Sequence, residues 1–197
     1  MKRILVTGAN KGIGLATVEN LLQNHPDTFL ILGSRDEKRG DEAVRLLTSK
    51  EPKWADRLMM LAIDVSNDES VTMAAETVAS SFEADAKPLY GIINNAGIGS
   101  SSIGLEPTLQ VNTWGIHRVC EAFIPLLEAS GRIVNVTSAA GPNFVEAADD
   151  VTRTMLTDPD VPWDSMEEYM NRCISESKDS ASTTSGLGNA YGLSKAC

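Results

Sequence analysis

Short apolar runs alternate along this chain with helical patterns, and this alternation constrains the fold more than any other feature. The apolar runs predict strands, at Arg3–Thr7, Thr28–Ser34, Leu58–Ile63, Leu89–Asn94 and Arg132–Ser138. Apolar spacings of three and four predict helices at Gly12–Asn24, Glu37–Ser49, Glu69–Phe82 and Thr108–Leu127. Either Asn67 or Asp68 can cap the third of these helices. Continuously apolar strands separated by helices form a parallel sheet that is covered on both faces. We therefore expect an α/β fold with a doubly wound parallel sheet, the Rossmann fold, whose ligands bind at the carboxyl ends of the strands.

The 197 residues suit a single domain, so we expect one domain over residues 1–197. The alternation stops after Ser138, and residues 139–190 are interpreted as a long insertion without strands. Asp164–Ser177 within it is predicted to be an amphipathic helix that begins with a capping box of Ser165 and Glu168.

One face of that helix is apolar, and it carries Met166, Tyr169, Met170, Cys173 and Ile174. The polar, low-complexity stretch Ser175–Gly186 is predicted to be mobile. The segment from Phe144 to Ser180 contains ten acidic and three basic residues, so it supplies most of the net negative charge of the chain. We predict that the insertion packs on its own domain as an acidic flap and keeps the protein monomeric. The alternative, which the polar stretch supports, is a disordered, solvated loop.

The net charge of −10 and the pI of about 4.7 bear on partners and compartment. An acidic chain repels phosphate backbones, so nucleic acid is not expected as a partner. No apolar stretch has the length of a membrane span, and the first residues predict a strand rather than a signal peptide. Cys120, Cys173 and Cys197 are far apart and match no metal spacing, which favours a reducing compartment and no metal. We expect a cytoplasmic protein that acts on a small molecule.

A glycine-rich turn joins the first predicted strand to the first helix. Glycines let the backbone turn tightly and approach a pyrophosphate, while the start of the helix offers free N–H groups and the positive end of its dipole. A simple strand-to-helix turn is the alternative, but the placement between strand and helix favours a dinucleotide site. The candidate cofactor-binding residues here are Gly8, Asn10, Lys11, Gly12, Ile13 and Gly14.

The end of the second strand predicts which dinucleotide is bound. A site for NAD usually has an acidic side chain there, to hold the ribose 2′-hydroxyl. This chain has Arg35, with Arg39 one helical turn later, and Asp36 between them is better placed to cap the helix. Guanidinium groups suit a phosphate, and Lys11 adds a third positive charge, so the pattern favours NADP(H). The alternative is that these charges are only solvated at a helix start.

Two further motifs are weak alone. Asn95, Ala96 and Gly97 follow the fourth strand, where small residues let the backbone approach a ligand, although a plain turn is possible. The spacing of Tyr191 and Lys195 places both side chains on one helix face, where an ammonium group can help a phenol to transfer a proton. Ser138 and Asn112, taken singly, read as an ordinary strand-end serine and helix asparagine.

Together these motifs resemble the classical short-chain dehydrogenases/reductases over essentially the whole chain. The shared features are the glycine turn, Asp64 after the third strand, the Asn-Asn-Ala-Gly sequence, Asn112, Ser138 and Tyr191-x-x-x-Lys195. Within that family the glycine turn, the Ser-Arg-Asp sequence with Arg39 and the long insertion are similar to the monomeric, NADPH-dependent carbonyl reductases.

The resemblance implies a role for each residue in reducing a ketone, aldehyde or quinone to an alcohol. Tyr191 donates the proton, Ser138 binds the carbonyl, and Lys195 binds the ribose and assists Tyr191. Asn112 anchors a water molecule, Asp64 reaches the adenine amine, and Val65 lies against the adenine ring.

The chain departs from the family in two ways. The interval from Ser138 to Tyr191 is unusually long, and the family has two more strands after the helix that carries Lys195, so we expect this chain to be truncated. The alternative function is therefore a catalytically inactive NADP-binding or interaction protein.

Overall fold

The computed structural model describes residues 1–99, 103–179 and 190–197, and these form two compact units. The sheet unit comprises Met1–Ala96 and Gly115–Val136. The helical unit comprises Gly97–Trp114 and Thr137–Cys197. The single domain that the sequence predicts stays a prediction.

The strands and helices follow one another as the alternation predicts. The strands are β1 (Lys2–Val6), β2 (Thr28–Ser34), β3 (Leu58–Ala62), β4 (Leu89–Asn94) and β5 (Leu127–Asn135). The helices of the first half are α1 (Gly12–Asn24), α2 (Glu37–Lys50), α3 (Asp68–Ser81), α4 (Leu105–Asn112) and α5 (Trp114–Phe123). Those of the second half are α6 (Ala140–Ala147), α7 (Asp150–Thr157), α8 (Trp163–Asp179) and α9 (Ala190–Ala196). Two 3₁₀ helices cover Pro52–Arg57 and Ile124–Leu126.

The sheet unit contains a parallel sheet in the order β3-β2-β1-β4-β5. The order reverses between β1 and β4, where Val6 pairs with Leu32 on one side and Ile93 on the other. The doubly wound fold class is therefore confirmed. In such sheets ligands bind where the order reverses, outside the carboxyl ends of the strands.

Alternate residues of the strands face opposite sides of the sheet. On one side, Val6 and Leu32 are fully buried in a cluster with Val18 and Leu22 of α1 and Leu47 of α2. Neighbouring strand residues such as Leu5 and Ile31 are just as buried. So are Val71 and Val78 of α3 and Phe123 of α5. Burial on both faces explains why these strands are apolar throughout, with about 2 kcal/mol contributed by each large side chain.

Polar side chains begin α2 and α3 where the sequence predicts caps. The Asp36 carboxylate accepts a hydrogen bond from the backbone N–H of Arg39, and the Asn67 side chain accepts one from Ser70. Both predicted caps are therefore confirmed, and each satisfies an amide that has no partner within its helix.

One helix and one strand in the middle of the chain have bounds that differ from the prediction. The helix expected over Thr108–Leu127 is divided at Thr113, whose side chain bonds outside the helix, and it ends before Pro125, which lacks an amide hydrogen. The fifth strand starts at Leu127 and ends at Asn135, so Ser138 lies beyond it rather than at its end. The pairing of β5 with β4 includes a register shift, which a pattern of apolar residues does not reveal.

The helical unit packs α4, α8 and α9 around one apolar cluster. The predicted apolar face of α8 is confirmed, because all five of its residues are buried in this cluster. The helix begins at Trp163, so Ser165 lies within its first turn and the predicted capping box is wrong. Trp114 is buried beside this face and donates a hydrogen bond from Nε1 to Glu167 at 3.0 Å.

The described part of the insertion, residues 139–179, is helical and contains no strand, as expected. The helices α6 and α7 are short and were not predicted. Helix α8 continues to Asp179, so the first residues of the polar stretch Ser175–Gly186 are helical, and residues 180–186 lie outside the described residues. In the described part of the chain, no helix is both long enough and apolar enough to span a membrane.

Candidate cofactor-binding and catalytic residues

The glycine turn after β1 brings three segments of the sheet unit into close contact. Gly8 has a φ of +62°, and a Cβ atom there would lie 2.8 Å from the Cα atom of Ala96. A Cβ atom at Gly14 would lie 2.5 Å from the side-chain nitrogen of Asn95. Gly12 has a φ of +56° but faces open space. Gly8 and Gly14 are therefore required by packing, whereas Gly12 is required by its backbone conformation alone.

Thr7 and Asn95 fasten this turn to the end of β4. The Thr7 hydroxyl accepts hydrogen bonds from the backbone N–H groups of Asn95 and Ala96, at 3.1 and 3.0 Å. The Asn95 side chain donates to the carbonyl oxygens of Thr7 and Gly8, at 2.8 and 3.2 Å. Sequence reasoning selected Asn95 and Ala96 but missed Thr7 as their partner. A polar residue directly after an apolar strand was the available signal.

The start of α1 has the features of an anion-binding site. Its N-cap residue, Lys11, makes no side-chain hydrogen bond to the helix, and the first turn contains no acidic residue. The first amides of a helix have no partner within it, and the helix dipole is positive at this end. Ile13 in the first turn is 69% exposed. The backbone of Gly12, Ile13 and Gly14 could therefore hold a pyrophosphate.

A groove of about 320 Å³ lies beside this turn. It is lined by Asn10, Lys11, Leu15, Arg39, Glu42, Ala43 and Leu46. Arg39 and Lys11 therefore line the same groove, and the Nε atom of Arg39 lies 3.5 Å from the Asp36 carboxylate. Arg35 is exposed but does not line the groove. Two cations at one groove could hold the 2′-phosphate of NADP(H).

Asp64 and Val65 follow β3 in a tight turn. The Asp64 carboxylate accepts hydrogen bonds through Oδ1 from the backbone and hydroxyl of Ser66, at 3.0 and 2.6 Å. Val65 is buried, and a Cβ atom at Gly115 would lie 3.0 Å from its side chain. Their roles toward adenine stay predictions. Gly115, which makes room for Val65, was missed because it lies far away in the sequence.

Asn112 is the most tightly held candidate of the helical unit, with 1% of its surface exposed. Its Oδ1 accepts a hydrogen bond from the backbone N–H of Ile98, and its Nδ2 donates to the carbonyl of Ile98, both at 2.8 Å. Nδ2 also donates to the Ser194 hydroxyl at 2.9 Å. The side chain thus joins α4 to α9 and to the segment that begins at the exposed Gly97.

Ser194 completes this network on α9. Its hydroxyl donates a hydrogen bond to the carbonyl of Tyr191 at 2.9 Å, and its own carbonyl accepts one from the Thr113 hydroxyl at 3.0 Å. Sequence reasoning missed Ser194, although it stands three residues after Tyr191 and directly before Lys195. The network fixes the helix that carries both candidate catalytic residues.

Tyr191 and Lys195 lie on one face of α9, as their spacing predicts. The Lys195 ammonium is 5.9 Å from the centre of the Tyr191 ring. Burial lowers the pKa of Lys195, because removing the ammonium from water disfavours its charged form. The Tyr191 ring also packs against Gly99, where an added Cβ atom would come within 2.8 Å of it. The pair is half-buried and could act as a proton donor with a neighbouring cation.

Ser138 precedes α6, whose start packs against the end of α9. The Ser138 hydroxyl accepts a hydrogen bond from the backbone N–H of Ala140 at 3.2 Å. A Cβ atom at Gly141 would collide with the carbonyl of Lys195. The structure therefore brings Ser138, Asn112, Tyr191 and Lys195 into one unit, while the glycine turn and its groove belong to the sheet unit.

The cysteines form no second site. All three are unpaired, and the described residues contain no cluster of side chains suited to a metal ion. Burial raises the pKa values of Cys120 and Cys173. A thiol with a raised pKa is mostly protonated near neutral pH and so is a poor nucleophile.

A parallel sheet whose first strand leads through a glycine turn into a helix with a free N-terminus defines a nucleotide-binding protein of the doubly wound class. Comparison with known proteins narrows this class. The family model described as short chain dehydrogenase matches residues 2–148. The chain belongs to the short-chain dehydrogenase family, whose members are oxidoreductases that bind a nicotinamide cofactor.

Individual relatives match to different extents. The mitochondrial D-beta-hydroxybutyrate dehydrogenase of Bos taurus is 36% identical over 149 residues, which cover 71% of this chain and 42% of that protein. Carbonyl reductase (NADPH) 1 of Rattus norvegicus is 28% identical over 201 residues, which cover 97% of this chain and 69% of that protein. The structure of menthone neomenthol reductase from Mentha piperita aligns with a TM-score of 0.86 at 25% identity, over 100% of this chain and 82% of that one.

Proposed function

We propose that this chain is an NADPH-dependent oxidoreductase that reduces the carbonyl group of a ketone, aldehyde or quinone to an alcohol. The observation that carries the cofactor choice is the groove that Lys11 and Arg39 share beside the glycine turn. A charge-assisted bond from a guanidinium or ammonium group stabilises a phosphate more than a neutral hydroxyl. The carbonyl reductase named for NADPH among the relatives supports the same choice.

The backbone at the start of α1 would hold the pyrophosphate of the cofactor, and Lys11 and Arg39 would hold its 2′-phosphate. NADPH supplies a hydride when it is bound. Asp64 and Val65 at the end of β3 would contact the adenine. Asn95, Ala96 and Gly97, which follow β4, would line the path of the cofactor with backbone and small side chains.

Tyr191 is the proposed proton donor to the carbonyl oxygen. Lys195 is suited to assist it, because its ammonium is close to the ring and favours negative charge on the phenol oxygen. Ser138 would donate a hydrogen bond to the carbonyl as charge develops there. Both N–H donors of the Asn112 amide are used, by Ile98 and Ser194, so its side chain would act by holding α9 in place.

The test of catalysis is NADPH oxidation by the protein in the presence of a reactive dicarbonyl or a quinone. Tyr191→Phe is expected to abolish turnover and to leave NADPH binding largely unchanged, because only the proton donor is removed. Tyr90→Phe, in β4, is the matched control and should keep its activity.

Retained turnover in Tyr191→Phe would show that another group donates the proton. Tight NADPH binding without turnover of any carbonyl by the wild type would favour the alternative, an inactive NADP-binding protein.

We further propose that the protein acts as a cytoplasmic monomer on a small molecule, without nucleic acid or membrane as a partner. The buried apolar face of α8 supports the monomeric state, because that face is covered by its own unit and is not left for a second copy. Sedimentation of the protein tests the proposal, and a tetramer that retains the insertion would refute it.

A further inference from the structure

The groove that holds Lys11 and Arg39 also contains an acidic residue. Glu42 lines it together with Ala43 and Leu46 of the same helix. Residues three and four positions apart lie on one face of a helix, so Arg39 and Glu42 both face the groove from α2. A carboxylate at this place opposes the binding of a phosphate rather than favouring it.

The acidic neighbours of Arg39 differ in what they do. Asp36 accepts the backbone N–H of Arg39 through one oxygen and lies 3.5 Å from its guanidinium through the other, so it has a structural role as the cap of α2. Glu42 makes no hydrogen bond or ion pair with any residue that the structure describes. Its exposed carboxylate therefore has no structural task that accounts for it.

We infer that Glu42 is a specificity-determining residue that weakens the binding of NADPH and so limits the preference of this site for NADPH over NADH. The inference rests on the proposed function, because it concerns the cofactor that Lys11 and Arg39 would bind. The charge of Glu42 repels a 2′-phosphate in the groove, whereas a 2′-hydroxyl carries no charge to repel. The residue thus acts mainly on NADPH, the cofactor that carries the 2′-phosphate.

The size of the effect follows from the exposure of the groups. Charges at an exposed groove interact through water and are screened by salt, so removing one charge changes the affinity by a small multiple rather than an order of magnitude. Removing the charge with Glu42→Gln should tighten NADPH binding about threefold at low salt. Reversing it with Glu42→Lys should tighten binding about tenfold, because repulsion is replaced by attraction.

The experiment is a titration of NADPH and of NADH, followed by cofactor fluorescence, at low and at high salt. Asp41→Asn is the matched control, since it removes the same charge one residue away on α2, outside the groove lining. We expect Glu42→Gln to tighten NADPH binding at low salt only, with NADH binding unchanged and Asp41→Asn without effect on either cofactor.

The inference would be overturned by any one of the following results. They are an unchanged NADPH affinity in Glu42→Gln, an equal change for NADH, and an equal gain in Asp41→Asn. Weaker NADPH binding in Glu42→Gln would also overturn it, because Glu42 would then be a binding group. Failure of the proposed function is a separate outcome, seen as equal affinity of the wild type for NADPH and NADH.

Discussion

In the sheet unit, the glycine turn of the candidate cofactor site depends on the absence of side chains. In the helical unit, the candidate catalytic residues are held in place by buried side chains. In the first, Gly8 and Gly14 admit Ala96 and Asn95 because they lack a Cβ atom. In the second, the Asn112 amide and the Ser194 hydroxyl are buried and bonded to one another. Substitutions that add a side chain should therefore destabilise the glycine turn, whereas substitutions that remove a side chain should destabilise the helical unit.

The difference follows from what each site has to hold. A pyrophosphate is bound by amides that must be reached by the ligand, so side chains have to be absent from the turn. A proton donor has to be fixed in position, so the helix that carries Tyr191 is tied to α4 by hydrogen bonds that water does not reach.

The largest effect is expected at the glycine turn. Gly8→Ala combines an unfavourable positive φ with a collision against the Ala96 backbone, and it should lower the free energy of unfolding by about 3 kcal/mol. Gly12→Ala is the matched control, because it has the same kind of φ but open space, and it should cost about 1 kcal/mol. Urea denaturation measures both. Equal losses would show that the close approach to Ala96 contributes nothing.

The second effect is expected in the helical unit. Asn112→Ala leaves the backbone N–H and carbonyl of Ile98 without their partner and should cost about 2 kcal/mol of unfolding free energy. Ser194→Ala removes fewer hydrogen bonds and should lower the free energy of unfolding by about 1 kcal/mol. Asn143→Ala, an exposed position in α6, is the control and should change stability by under about 0.5 kcal/mol. Equal stability of Asn112→Ala and the control would contradict the role of the network.

The fold was largely predictable because its signal is local. Strands β2 and β4 and helix α1 have the predicted bounds, since continuous apolar runs and helical spacing depend on neighbours in the sequence. The break at Thr113 was not predictable, because that residue bonds to Ser194, 81 positions away. The early start of β5 depends on its pairing with β4, which likewise lies outside any local pattern.

The candidate site divides in the same way. Lys11 and Arg39 could be assigned to one groove from their positions around the glycine turn and the second strand. The partners of Thr7, Gly115 and Ser194 could not be assigned, because the fold brings them together from distant parts of the sequence. Arg35 was selected by the same reasoning as Arg39, but its side chain does not line the groove.

We propose that the sheet unit selects NADPH through Lys11 and Arg39, and a titration of both reduced cofactors by fluorescence tests this proposal most directly. We expect NADPH to bind at least about tenfold more tightly than NADH, in line with a charge-assisted phosphate contact. Arg39→Ala should remove most of this difference by weakening NADPH alone. Arg45→Ala, an exposed residue of α2 outside the groove, should preserve the difference. Equal affinity for the two cofactors, or an Arg39→Ala variant that binds NADPH as tightly as the wild type, would contradict the claim.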